Sequence, residues 1–122
     1  MSPVQHRISG AALSFSLENE MRLLRDELAK APARIGRTLV KDGSLRVTLV
    51  GIRADHGMHE HRAAGPVTIQ VLEGAVEVSA EGKQWPLHVG ELLALDGGVT
   101  HAVASAQGGV FLLTVMHDDA TG

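Results

Sequence analysis

The sequence contains no cysteine and no tyrosine, and its only aromatic residues are Phe15, Trp85 and Phe111. Without cysteine there can be no disulfide framework, no thiolate zinc site and no thiol nucleophile, a composition that suits a reducing compartment. With so few rings there is almost no stacking platform for single-stranded nucleic acid, whose binding relies on aromatic faces beside a basic groove. Long apolar runs are missing too. Stretches such as Val110 to Met116 fall far short of the roughly 20 residues of a membrane-spanning helix. Met1 to Gly10 lack a basic region followed by an apolar run, so no signal peptide is expected. The chain therefore reads as a cytoplasmic protein with neither nucleic-acid nor membrane partners.

What is present is ordinary in bulk and uneven in detail. The 122 residues have room for a single core, and 44% apolar with 20% charged residues is globular composition. Net charge is −3, but residues 1–53 hold nine Lys/Arg against five Asp/Glu, whereas residues 54–122 hold two against nine. The basic residues are dispersed, and the acidic remainder disfavours phosphate backbones. Against this background, seven histidines stand out, at positions 6, 56, 59, 61, 88, 101 and 117.

Periodicity divides the chain into a tail and helical arm over residues 1–33, a β-rich body over 34–117 and a short tail over 118–122. Ser16 is a suitable helix cap, because Leu17, Met21, Leu24, Leu28 and Ala31 recur at helical spacing, and Glu18 and Glu20 fall in the first turn; Pro32 would end the helix. Its single apolar stripe needs a partner surface, on its own domain or on a second subunit. From Arg34 onward, short β-like runs alternate with turn signals at Asp42-Gly43, Asp55-His56-Gly57, Gly65-Pro66, Gly74, Glu81-Gly82 and Asp96-Gly97-Gly98. About eight or nine strands at hairpin spacing, with no later helix, point to an all-β antiparallel barrel or jelly roll with one N-terminal amphipathic helix.

His59-Glu60-His61 is the sharpest chemical feature. In a regular strand, residues two apart share a face, so both imidazoles would converge on one ion while Glu60 points away. Two surface histidines at a strand edge is the competing reading. Further along, Gly90, Gly98 and His101 fall in register with a motif of Gly, five residues, Pro, any residue, Gly, two residues, His, three residues, Asn; Asp96 and Ser105 stand where Pro and Asn are usual. This stretch resembles the second signature motif of the cupin superfamily. Val71-Leu72-Glu73-Gly74 looks like the close of the first motif, and fifteen residues separate Gly74 from Gly90, near the family's minimal spacing. The resemblance covers roughly residues 34–117 and implies a cupin barrel, commonly paired into a homodimer.

The first motif departs from its pattern. Cupins usually carry a Glu ligand seven positions before the closing Gly, and here that position is Val67. The five residues between His61 and Val67 imply a slipped register, so His61 is a safer carry-over than His59. Gln70 is a candidate replacement: if it faces inward, its carbonyl oxygen joins His59, His61 and His101 around the ion, and if it faces outward, Val67, Ile69 and Val71 fill the interior. Such neutral ligands suit a divalent transition metal such as nickel, zinc, iron, copper or cobalt. The chain is then a single-domain cupin acting on or sensing a small molecule, a dioxygenase or isomerase type if it is an enzyme. A metal-free cupin that binds a small ligand or serves as a dimeric interaction module is the alternative. His6, His56, His88 and His117 read as solvated or locally hydrogen-bonded.

Overall fold

The computed structural model describes residues 6–8 and 10–117. Helix α1 spans Leu17–Leu28 and starts where the sequence places it. Ser16 is extended, and its hydroxyl accepts a hydrogen bond from the Asn19 backbone N–H at 3.2 Å, meeting one of the unpaired donors of the first turn. The helix ends one turn before Pro32. No helix among the described residues is long and apolar enough to cross a membrane.

Among the described residues eight strands follow: β1 (Arg34–Asp42), β2 (Leu45–Ile52), β3 (His56–His61), β4 (Val67–Ala80), β5 (Lys83–His88), β6 (Leu92–Leu95), β7 (His101–Ser105) and β8 (Gly109–Met116). All pairings are antiparallel, as the turn spacing predicts. Strand β4 organises the barrel. Its first half pairs with β6 and β8, and its second half pairs with β5 and β7. The sequence suggests a break at Gly74. Instead the strand runs through, with a bulge against β8 between Val71 and Glu73 and with Gly74 at φ 69°, where a side chain would collide with the Gly108 carbonyl. One strand thereby serves both walls of the jelly roll.

Between the walls lies an aliphatic core built on Val67, Ile69 and Val71 from one half of β4, Val76 and Val78 from the other, and Phe111 from β8. A second cluster sits on the outside. There Leu24 of α1, wholly buried, packs on Leu39, Leu49 and Val110. Gly51 makes room for the helix, since a Cβ at that position would come within 3.1 Å of the Leu24 and Leu28 methyls. Arg37 of β1 fastens the same contact by donating to Glu20 at 2.8 Å and Glu27 at 3.0 Å, and the Glu20 hydrogen bond raises the guanidinium pKa further above its ordinary value. The apolar stripe of α1 thus finds its cover on its own sheet.

Candidate metal centre

Strand β3 departs from regular alternation where the chemistry is concentrated. Met58 lies opposite Val103 and His61 lies opposite His101, so two residues of β3, His59 and Glu60, face the single Ala102 of β7. This is a β-bulge, and the extra residue flips the parity of everything beyond it. Gly57 permits the close approach of the strands just before the bulge, because a Cβ there would run into the Val103 carbonyl. Met58, the last regularly paired residue before the bulge, packs on the barrel core, and the bulge brings His61 to the inward position beside His101. His59 is exposed and lines a surface groove of about 590 Å³ with Arg34, His56, Glu77 and Ala104. The expectation that His59 and His61 share a face is therefore corrected: the bulge separates them.

The two inward imidazoles form a close pair. Their ring centroids are 4.3 Å apart with planes tilted by 58°, and His101 is only 2% exposed. Each ring is held the same way, by its own backbone. His61 Nδ1 lies 2.8 Å from the His59 carbonyl oxygen, and His101 Nδ1 lies 3.1 Å from the Val99 carbonyl oxygen. A carbonyl only accepts, so each Nδ1 carries a hydrogen and donates it, and in the neutral ring the lone pair is then the one on Nε2. The loops beyond the pair are tied together by the Gly98 N–H donating to the Ala63 carbonyl at 2.8 Å. Ser105, at the motif position usual for Asn, is buried at the far end of β7 and donates to the Ala75 carbonyl at 2.7 Å, fixing β7 against β4.

Gln70 takes the outward alternative. Ile69 and Val71 on either side are fully buried in the core, so Gln70 lies on the opposite face of β4, between Leu92 and Leu112 of the neighbouring strands. One register cannot bury both sets, and three aliphatic side chains outweigh one amide that would lack partners inside. Val67 is also in the core at 3% exposure, so no carboxylate stands at the usual position. Among the described residues, no group of three or more His, Cys, Asp or Glu side chains gathers around the pair or elsewhere. The structure brings together His61 and His101 and leaves His59 and Gln70 outside.

The hydrogen bonds of the remaining histidines are mainly those of the backbone, and the His6 Nδ1 is buried without a partner among the described residues. His6 accepts from the Lys41 N–H through its carbonyl at 2.8 Å, and His117 donates its N–H to the Ser44 carbonyl at 2.7 Å. The exposed His88 donates its backbone N–H to Glu91 at 2.8 Å; this bond, with a weaker one from the ring, holds the Glu91 carboxyl below its ordinary pKa. His56 borders both the groove near His59 and another of about 790 Å³ beside the end of α1, which Arg25, Arg53 and Glu73 also line.

No protein-family profile matches the chain, and no curated protein matches it by sequence. Solved structures do match. A cupin superfamily protein from Desulfitobacterium hafniense DCB-2 superposes with a TM-score of 0.69 at 15% identity, over 71% of this chain and 80% of that one. A conserved protein of unknown function from Streptococcus pyogenes gives 0.71 at 20% identity, over 97% of this chain and 96% of that one. A variant of salicylate 1,2-dioxygenase from Pseudoaminobacter salicylatoxidans, in complex with gentisate, gives 0.75 at 19% identity; the match covers 84% of this chain but 32% of the dioxygenase. At such identities the likeness is one of fold, and it agrees with the strand order, the curled antiparallel sheet and the motif around His101: this chain has the cupin fold.

Proposed function

We propose that this chain is a metal-binding cupin in which His61 and His101 hold a transition-metal ion and leave its other positions to a small molecule that the protein acts on or senses. The observation that carries the reading is the matched anchoring of the two rings. Metal-binding histidines characteristically donate the second ring nitrogen to a carbonyl or carboxylate, which fixes the tautomer and aims the free lone pair. Both rings here are anchored in that way, and both free Nε2 atoms belong to neighbouring inward positions. The donor set fits a metal in its chemistry and leaves it under-coordinated, since catalytic sites usually have three protein ligands and an open position.

A bound ion would supply Lewis acidity toward an oxygen-bearing ligand. The chain's own residues do the rest. His61 and His101 present ring nitrogen, the His59 and Val99 carbonyls keep the rings from turning, and the burial of His101 restricts water on its side of the pair. The gentisate complex of the structurally similar dioxygenase supports a small organic molecule as the class of ligand.

Elemental analysis of untagged protein, followed by titration of the stripped protein with zinc and nickel, tests the reading. About one ion per chain is expected, lost in His61→Ala and His101→Ala and retained in His59→Ala and Gln70→Ala. Protein that holds no metal and takes up none would overturn the proposal in favour of a metal-free ligand-binding cupin. Undiminished uptake in both the His61 and His101 variants would overturn it equally. Because His101 is buried and its variant is the more disruptive, the half-buried His61 is the decisive position.

A further inference from the structure

Met58 already faces inward just before the bulge, and the bulge returns His61 to that same face, which changes the chemistry of the site. We infer that the barrel is built to bind monovalent copper, with the Met58 thioether joining His61 and His101 as a third ligand; the inference rests on the reading of the two histidines as metal-holding residues. Met58 sits opposite Val103, and His61 sits opposite His101, so the three donor-bearing residues occupy adjoining inward places on two paired strands. Same-face neighbours along a strand are about 7 Å apart, and methionine is unbranched with three rotatable bonds, so its sulfur can turn toward a neighbouring position.

Three properties of this set select a soft monovalent ion. Two imidazoles and a thioether are neutral donors, and thioether sulfur favours Cu(I) over the harder divalent ions, which prefer carboxylate, carbonyl and water. The buried polar residues among those described are only His101 and Ser105, so the interior offers no carboxylate to balance charge. The cost of moving an ion into a low-dielectric interior scales with the square of its charge, which makes a monovalent ion roughly four times cheaper to hold there than a divalent one of equal size. Finally, Cu(I) is satisfied by few ligands, whereas octahedral ions need more donors than these strands provide.

The test is anaerobic titration of the stripped protein with Cu(I), in competition with a chromophoric Cu(I) chelator, together with X-ray absorption at the copper edge. One Cu(I) per chain is expected, with a sulfur scatterer beside the nitrogens; the chain has no cysteine, so that sulfur is methionine. Met58→Leu, which conserves volume and apolarity, is expected to weaken Cu(I) binding by about tenfold or more and to abolish the sulfur signal. Zinc uptake and the thermal midpoint should stay at wild-type values. A wild-type spectrum without sulfur, or equal Cu(I) affinity in Met58→Leu, would overturn the copper inference. If zinc or nickel is still lost in His61→Ala, the two-histidine reading survives that result. Failure to bind either Cu(I) or divalent ions would overturn both.

Discussion

Deleting Met58 should convert the barrel from a two-histidine to a three-histidine site. In the native ladder, Gly57 pairs with Ala104 and Met58 with Val103, and the bulge intervenes before His61 meets His101. With Met58 removed, the same end points are joined by a regular ladder in which His59 takes the place opposite Val103, Glu60 faces out opposite Ala102, and His61 keeps its partner. Met58 is half-buried, so its loss costs about 1 kcal/mol of the roughly 1.5–3 kcal/mol that a fully buried methionine contributes. A third imidazole should tighten zinc binding by roughly 10- to 100-fold, about 1.4–2.7 kcal/mol. Under saturating zinc, that gain adds directly to folding stability. For a chain of this size it corresponds to a thermal shift roughly 4–14 °C larger in the deletion variant than in the wild type. Melting curves with and without zinc measure the difference. The reasoning fails if zinc raises both midpoints equally, or if the added shift survives His59→Ala in the deletion background.

Two further outcomes check the frame around the site. Leu24→Ala should destabilise the fold by about 2–5 kcal/mol in urea unfolding, because the side chain is wholly buried between α1 and the sheet; a loss under about 1 kcal/mol would mean that the helix is not held by this contact. Glu91 should titrate below an ordinary glutamate in carbon-detected NMR, since the His88 backbone N–H stabilises its charged form. A lowered folded-state pKa means that the turn gains stability above the ordinary carboxylate range and loses it as pH falls through the lowered value, with the His88 amide resonance following. An unshifted midpoint would refute the bond.

Local chemistry made much of the fold legible. The Ser16 cap, the acidic first turn and the leucine spacing of α1 were readable because each depends on a few neighbouring residues. The Glu81-Gly82 hairpin was equally direct: both residues adopt positive φ, 53° and 70°, between paired Ala80 and Lys83. At Asp42-Gly43 the signal was displaced by one residue, since Asp42 still pairs with Leu45 and the turn consists of Gly43 and Ser44. The motif around His101 was readable from spacing alone. The candidate site was legible only in part. Alternation assigns faces correctly until a bulge intervenes, and a bulge reflects the length of β3 between its fixed end pairings with β7, which no local pattern encodes. Met58 was missed for that reason. Gln70, flanked by Ile69 and Val71, could have been resolved from composition, because an aliphatic interior leaves an amide no partner.

Strand β4 also sets a timetable for the nascent chain. Its first half cannot complete the barrel until β8 exists, and 28 residues of β5, β6, β7 and their loops lie between Ala80 and Gly109. At about 5–20 residues per second, the apolar edges of β2 and β4 wait on the order of seconds for their shared partner. During that interval Leu49, Val50, Ile69 and Val71 are open to pairing with other chains. Production at lower temperature, where hydrophobic association weakens, should therefore favour soluble protein over aggregate.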